Sequence, residues 1–375
     1  MVNRTSSTVF FSTLSAVSLK SIPLLQSEII LIREGYTVMG RDNVFNFASK
    51  KKIIPFIAHL LCKLDIDVEY WDKFHENFVQ RNRIILDILD KIFRDFDLNG
   101  IKKIFVYENF GALLCSDSCI GCFASGDVDI YADVTQRMNI STVLINNNFF
   151  PKGQDLSIDT IKVEYFNPNL FENGFGLNVM WKPLSRTKLP FNMDTENFIN
   201  WNDLRTYPGT NIKLPDQETL MYLCLLHISV HSFIRSPALR LYVDADRLAM
   251  RNPEWNKISA FALRDKTEVR TFTASILLNR LLGTSVPIDL IKTANEKYKK
   301  IKIILKFVLN SNFASLKEEP SALKVLFIEI LSSDYPLLKA FWKIIFPQSI
   351  WIREYYLYDG GNIVRGYFQH IKNLY

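Results

Sequence analysis

With 375 residues, 48% of them hydrophobic and 13% aromatic, the chain can build two or three modest cores and lacks the composition of a disordered segment. Its 45 Lys and Arg against 39 Asp and Glu leave a net charge of +6. The basic residues are scattered apart from Lys50–Lys52 and Lys299–Lys300, so a nucleic-acid partner is allowed but not indicated.

The stretch from Met1 to Phe11 carries one early positive charge, Arg4, and Ser and Thr interrupt its apolar patch, which is not the pattern of a signal peptide. No apolar run approaches the ~20 residues that a membrane span needs. Apolar spacing in Ser27–Arg33 and Ile53–Leu64 predicts short helices up to about residue 70. A longer helix is expected over Trp71–Phe96, where Ile84, Ile85, Leu86, Ile88, Leu89, Ile92 and Phe93 form a wide apolar stripe, and Leu98-Asn99-Gly100 stops it. The period then changes. Strands are expected at Lys103–Tyr107 and Val128–Ala132, a helix or turn at Asn109–Leu114 and a helix at Gln136–Asn147. Two further strands, Ile161–Phe166 and Phe175–Trp181, flank a loop with Asn and Gly. From Leu214 onward the pattern is helical again, at Pro215–Ser232, Ala238–Met250, Thr267–Leu282 and several later segments. The fold class expected is α+β: a helical region at 1–70, an α/β domain with a small mixed sheet at 71–212, and a helical domain at 213–375.

Two motifs lie side by side in the middle domain. Cys115, Cys119 and Cys122 are spaced C-x3-C-x2-C, as in the loop that holds a four-iron cluster in radical S-adenosylmethionine enzymes. Gly121 before the third cysteine, and a helical chain downstream in place of repeated βα units, argue against that chemistry. Free thiols come first, with an iron–sulfur cluster and a zinc-stabilised loop as alternatives. Five cysteines in all do not make the even framework of a secreted disulfide scaffold, and a reducing cytoplasm is the expectation.

The second motif is Asp127-Val128-Asp129. Residues two apart in a strand share a face, so both carboxylates project together while Val128 and Ile130 enter a core. Such a pair calls for a cation, and hard divalent ions such as Mg²⁺ accept carboxylate oxygens while keeping positions open for phosphates. The turn Ser125-Gly126 would let a triphosphate approach the backbone. Upstream, Phe110-Gly111-Ala112 opens a helix after a strand, where phosphates are readily bound.

These residues resemble the nucleotidyltransferase superfamily that shares its fold with DNA polymerase beta, and more closely its branch of uncharacterised nucleotidyltransferases. The resemblance rests on Phe110-Gly111-Ala112 and Asp127-Val128-Asp129, then Leu177-Asn-Val-Met-Trp181, His227 with His231, Arg240-Leu-Tyr-Val-Asp244, and Phe346-Pro347 ahead of Tyr355-Tyr356. It spans about Trp71 to the C-terminus. It implies a metal-dependent transfer of a nucleoside monophosphate from an NTP to a hydroxyl or phosphate of a small molecule or peptide, with Mg²⁺ or Mn²⁺ at Asp127 and Asp129. Gly111, Ser125 and Gly126 would then lie along the phosphates, and Arg240 would reach the nucleotide from the helical domain. A protein partner is also possible.

The chain departs from the branch at three places. Phe110 stands where a Lys is common, Phe123 where an Arg is common, and Asn178 where the third carboxylate is expected. Asn can ligate but is a poor base. If the two later strands pair antiparallel, Glu164 faces Asn178 across the ladder and could supply the missing acid. The alternative function is a nucleotide-binding or partner-binding module with reduced turnover. For His227 and His231, hydrogen bonding in a core is favoured over metal ligation, and for Arg240 and Asp244 an intrahelical ion pair is the simplest reading.

Overall fold

The computed structural model describes residues 4–116, 118–152, 162–181, 199–235, 240–310, 320–333, 335–356 and 361–372. Four helices, Arg4–Leu19, Gln26–Met39, Arg41–Lys50 and Ile54–Lys63, fill the N-terminal region. The long helix runs from Val68 to Leu98 and buries Ile85, Leu89, Ile92, Phe93 and Phe96 along one face. It stops where Gly100 takes a left-handed conformation (φ +73°), which glycine adopts without a Cβ penalty.

Among the described residues five strands follow: β1 (Ile104–Tyr107), β2 (Asp127–Ala132), β3 (Phe150–Pro151), β4 (Lys162–Asn167) and β5 (Phe175–Met180). They form one mixed sheet in the order β1-β2-β5-β4-β3, with β2 and β5 parallel and the other pairs antiparallel. The α+β class, with helical regions on both sides of a small mixed sheet, is therefore the observed architecture. Ile161 and Ala238, where one expected strand and one expected helix begin, lie outside the described residues.

Period-two alternation divides this sheet into two chemically different faces. Ile104, Val106, Val128, Ile130, Leu177 and Val179 point to one side and pack with the long helix and with Ile140 and Leu144 of helix Arg137–Asn146. On the other side Phe105, Tyr107, Tyr131 and Met180 join a core built jointly by the N-terminal helices, through Phe10, Leu14, Ile57 and Leu61, and by helices Gln217–Val230, Arg240–Ala249 and Glu268–Leu282. The two helical regions at either end of the sequence thus share one apolar core. Asp127, Asp129 and Asn178 occupy this second face, beneath the helical half.

Three local features go beyond the sequence pattern. The edge strand β3 and the ribbon of β6 (Arg205–Thr206) with β7 (Lys213–Leu214) have two residues each, too few to show a period. Helix Gln217–Val230 starts two residues after Pro215, because the Asp216 side chain accepts the Thr219 amide and caps it. Helix Glu108–Cys115 leaves β1 without a linker, through a left-handed Glu108 (φ +53°). Among the described residues no helix is long and apolar enough to cross a membrane.

Gly111 lies inside that helix, and a Cβ there would stand 2.8 Å from the Val106 carbonyl oxygen, a backbone atom that cannot swing aside. Gly111→Ala would gain about 1 kcal/mol of helix propensity but force a core clash of about 1–3 kcal/mol. The expected result is a lower urea midpoint at unchanged m-value, a net loss of up to about 2 kcal/mol by equilibrium unfolding.

Candidate active site

β2 presents Asp127 and Asp129 on the same face, and its parallel neighbour β5 places Asn178 level with Asp129. The Asn178 amide then bridges both acids: Nδ2 donates to Asp127 Oδ2 at 2.6 Å and to Asp129 Oδ1 at 3.0 Å. Its other amide atom, Oδ1, is buried without a hydrogen-bond partner. Ser125, in the turn before β2, donates to Asp127 Oδ1 at 2.6 Å. The paired carboxylates, Ser125 and Asn178 are thus brought together as one cluster.

A third acid, buried like Asp129, stands beside them. β1 ends with Tyr107 paired to Asp129, so the next residue, Glu108, turns into the same region. Its carboxylate meets His227 Nδ1 at 3.0 Å from helix Gln217–Val230, which gives His227 the hydrogen-bonding role expected of it. Glu108 is 5% exposed and its backbone is left-handed, a conformation that costs a non-glycine residue about 1–2 kcal/mol. Sequence reasoning passed over Glu108. A polar residue directly after an apolar strand and before the helix was the available signal.

Charge crowding shows in the titration of these groups. Burial, then the carboxylates of Glu108 and Asp127, push the Asp129 carboxyl up to about 8, against the opposing pull of Lys162 and Asn178. Burial would also raise Glu108, but His227, His231 and Lys162 outweigh it and hold the carboxyl below its ordinary range. Burial would lower His227, and Glu108 overcomes it to raise the imidazole. Asp244, also buried, is pushed up to about 6 although Arg247 and Arg240 lie near.

Next to the acids is an open cleft, lined by Asn109, Cys122, Ser125, Arg240, Asp244 and Arg247 among others. Arg240 lines it and acts electrostatically on both Asp244 and Asp127, so it is more than one half of an intrahelical pair. Arg247 carries the shorter contact to Asp244, 3.8 Å, and donates to the Cys122 carbonyl at 2.8 Å.

Glu164 does lie opposite Asn178 in the β4–β5 ladder. Its carboxylate is engaged by Lys152 at 2.6 Å and remains partly exposed. It is separated from Asp127 by Gly176, where a Cβ would sit 3.3 Å from the Asp127 Cβ and 3.9 Å from Glu164 Oε1. Gly126 is exposed with open space around it, whereas Gly111 is buried against β1 and does not line the cleft.

The cysteines do not gather as a triad. Cys119 and Cys122 converge with His59 and His75, and Cys115 is not part of that group. The reason is the short 3-10 turn Ile120–Cys122, which aims the C-x2-C pair at the long helix. The three-thiolate arrangement of an iron–sulfur cluster is accordingly not formed.

A mixed sheet with two acids two residues apart on an inner strand, roofed by a helical half, defines an α+β protein with a polar site at the sheet face. The family described as uncharacterised nucleotidyltransferase matches residues 39–283, and the chain belongs to that family. The matched span begins earlier than Trp71 and ends before Phe346-Pro347. No curated protein and no solved structure matches the chain.

Between the ordinary carboxylate value of ~3.9 and about 8, folded Asp129 holds a proton that the unfolded chain has released. That stability is fully present below the unfolded value and is lost as pH rises through about 8. Raised His227 loses stability in the same direction, while lowered Glu108 acts only in acid. In chelator-treated protein the melting temperature should therefore fall by several degrees from pH 5 to 8.5. Asp129→Asn should flatten that slope, read by thermal unfolding across the same buffers.

Proposed function

We propose that the protein transfers a nucleoside monophosphate from an NTP to a hydroxyl or phosphate group of a small molecule or peptide, using Mg²⁺ or Mn²⁺ held by Asp127 and Asp129. The observation that carries this reading is the pair of carboxylates on one sheet face, joined through Asn178 and adjoining a cleft that presents Arg240.

The residues fit a hard divalent cation. Asp127 and Asp129 offer only oxygens, Asn178 turns its Nδ2 to both of them and would ligate through Oδ1, now buried without a partner, once the amide turns over, and the anions are crowded enough to keep a proton on Asp129 near neutral pH. A bound cation would supply charge neutralisation for the polyphosphate and orient the attacked phosphorus. The chain's own groups do the rest. Ser125 fixes the Asp127 carboxylate, and Arg240, half-buried and desolvated, faces the phosphates from the helical half. Ser125 and Gly126 form the turn along which the phosphates lie, and the open space at Gly126 accommodates their approach. Glu164, at the accessible end of the face, takes the acceptor proton once released from Lys152. The nucleotide is ATP or another triphosphate, and the protein acts in the cytoplasm.

A second reading, binding without turnover, is favoured by Asn178 at the position of a third acid. The two separate in one experiment: α-labelled NTPs with Mg²⁺ or Mn²⁺ and a panel of hydroxyl and phosphate acceptors. Label transfer that falls at least about 10²-fold in Asp127→Asn and Asp129→Asn is expected, since a metal contribution of several kcal/mol is tenfold per ~1.4 kcal/mol. Nucleotide binding with no transfer to any acceptor would establish the binding module instead. Glu164→Gln should lower kcat while leaving NTP binding, measured by calorimetry, within about twofold.

A further inference from the structure

A second cluster of chemically potent side chains lies outside the aspartate site. His59 comes from helix Ile54–Lys63, His75 from the long helix, and Cys119 and Cys122 from the turn that precedes β2. One ligand atom of each, a ring nitrogen or a thiol sulfur, lies within 4.8 Å of all the others. His59 Nδ1 and His75 Nε2 face each other at 3.2 Å, and His75 Nε2 is also 3.2 Å from Cys119 Sγ.

Hydrogen bonding alone accounts poorly for this arrangement. A ring nitrogen carries at most one hydrogen, and His75 Nε2 has two partners at the same short distance. A cation at the centre would satisfy all four atoms at once. Zinc bonds of about 2.0–2.1 Å to nitrogen and 2.3 Å to sulfur set tetrahedral edges of roughly 3.3–3.8 Å, close to the 3.2 Å of those two contacts. The backbone is shaped for this approach too. At Gly121, between the cysteines, a Cβ would stand 2.7 Å from His75 Nε2 and 2.8 Å from Val79 Cγ2. The turn could not come so near the helix with any side chain there.

We propose that His59, His75, Cys119 and Cys122 form a closed, tetrahedral Zn²⁺ site of structural type. Two thiolates and two imidazoles are soft and borderline donors, which select zinc over the hard ions suited to Asp127 and Asp129. On binding, the thiol protons leave to solvent and two S–Zn bonds form, without a redox step. His75 ligates through Nε2, with its other nitrogen 4.0 Å from the Glu76 carboxylate. The metal ties three elements together: a helix of the N-terminal region, the long helix, and the loop whose next residues, Phe123 to Ser125, line the cleft. Its function is to hold that wall in place.

Metal analysis by mass spectrometry on the full chain, purified without chelator, tests the site. About one zinc per chain is expected, lost in Cys119→Ser and His75→Ala and kept in Cys115→Ser and in the double variant Asp127→Ala/Asp129→Ala. Chelated protein given Co²⁺ should show the intense visible bands of tetrahedral thiolate coordination. If Cys119→Ser is insoluble, His59→Cys keeps four ligands, because a cysteine Sγ reaches about as far as Nδ1. That variant should retain metal and gain thiolate-to-cobalt absorption. A folded chain that carries no zinc and takes up no Co²⁺ would overturn the proposal. So would loss of zinc in the aspartate double variant but not in Cys119→Ser, or a brown, iron-loaded protein.

Discussion

Two carboxylates on one strand face repel, and the arrangement around Asp127 and Asp129 is organised by how that repulsion is relieved. A single amide, Asn178, donates to both acids, while Glu108 adds a third negative group and His227 offsets it from the helical half. Each group is supplied by a different element: β2 for the aspartates, β5 for the amide, the β1 exit for Glu108 and helix Gln217–Val230 for the histidine. The sheet cannot hold this cluster alone. It depends on the helical half docking over the face, which places His227 and Arg240 where their charges oppose the acids.

That docking follows from the two-faced alternation of the strands. One face is apolar, aliphatic apart from Tyr165 and Phe175, and is covered by the long helix. The other is aromatic at Phe105, Tyr107 and Tyr131 and polar at Asp127, Asp129 and Asn178. Its aromatic part is buried in the core that unites the N- and C-terminal helices, which brings the polar part under the same cover. Burial raises electrostatic interactions there, because fewer waters screen them. This is why Asp129 keeps a proton so far above its ordinary range while Glu108, with its histidine partner, does not.

Much of this was legible in the sequence, for reasons that differ by residue. The long helix and the strands Val128–Ala132 and Phe175–Trp181 announce themselves by period, and the register that sets Glu164 against Asn178 follows from hairpin pairing. The shared face of Asp127 and Asp129 needs nothing more than strand geometry. Contacts between distant segments left no such trace. Glu108 meets His227 across more than a hundred residues, and His59 and His75 look like isolated histidines on two separate helices. The C-x3-C-x2-C spacing suggested three equivalent thiols. Only the 3-10 turn at Ile120–Cys122 decides which two point together.

The loop between helix Glu108–Cys115 and β2 is therefore held from both the long helix and the helical half. Asn82 of the long helix donates to the Ile120 and Phe123 carbonyls at 2.6 and 3.1 Å, and Arg81 donates to the Ser125 carbonyl at 2.7 Å. Arg247 holds the Cys122 carbonyl from the helical half. A loop with Gly at 121 and 126 and Ser at 116, 118 and 125 has little intrinsic rigidity, since glycine loses more freedom on ordering than any other residue. Fixed carbonyl acceptors and converging Cys119 and Cys122 side chains replace it. They place Ser125, and through it the Asp127 carboxylate, with the definition that a charged site requires: an error of about 1 Å at such a group is enough to cost two orders of magnitude in rate. The position of the first aspartate is thus set by packing on the long helix as much as by the strand that carries it.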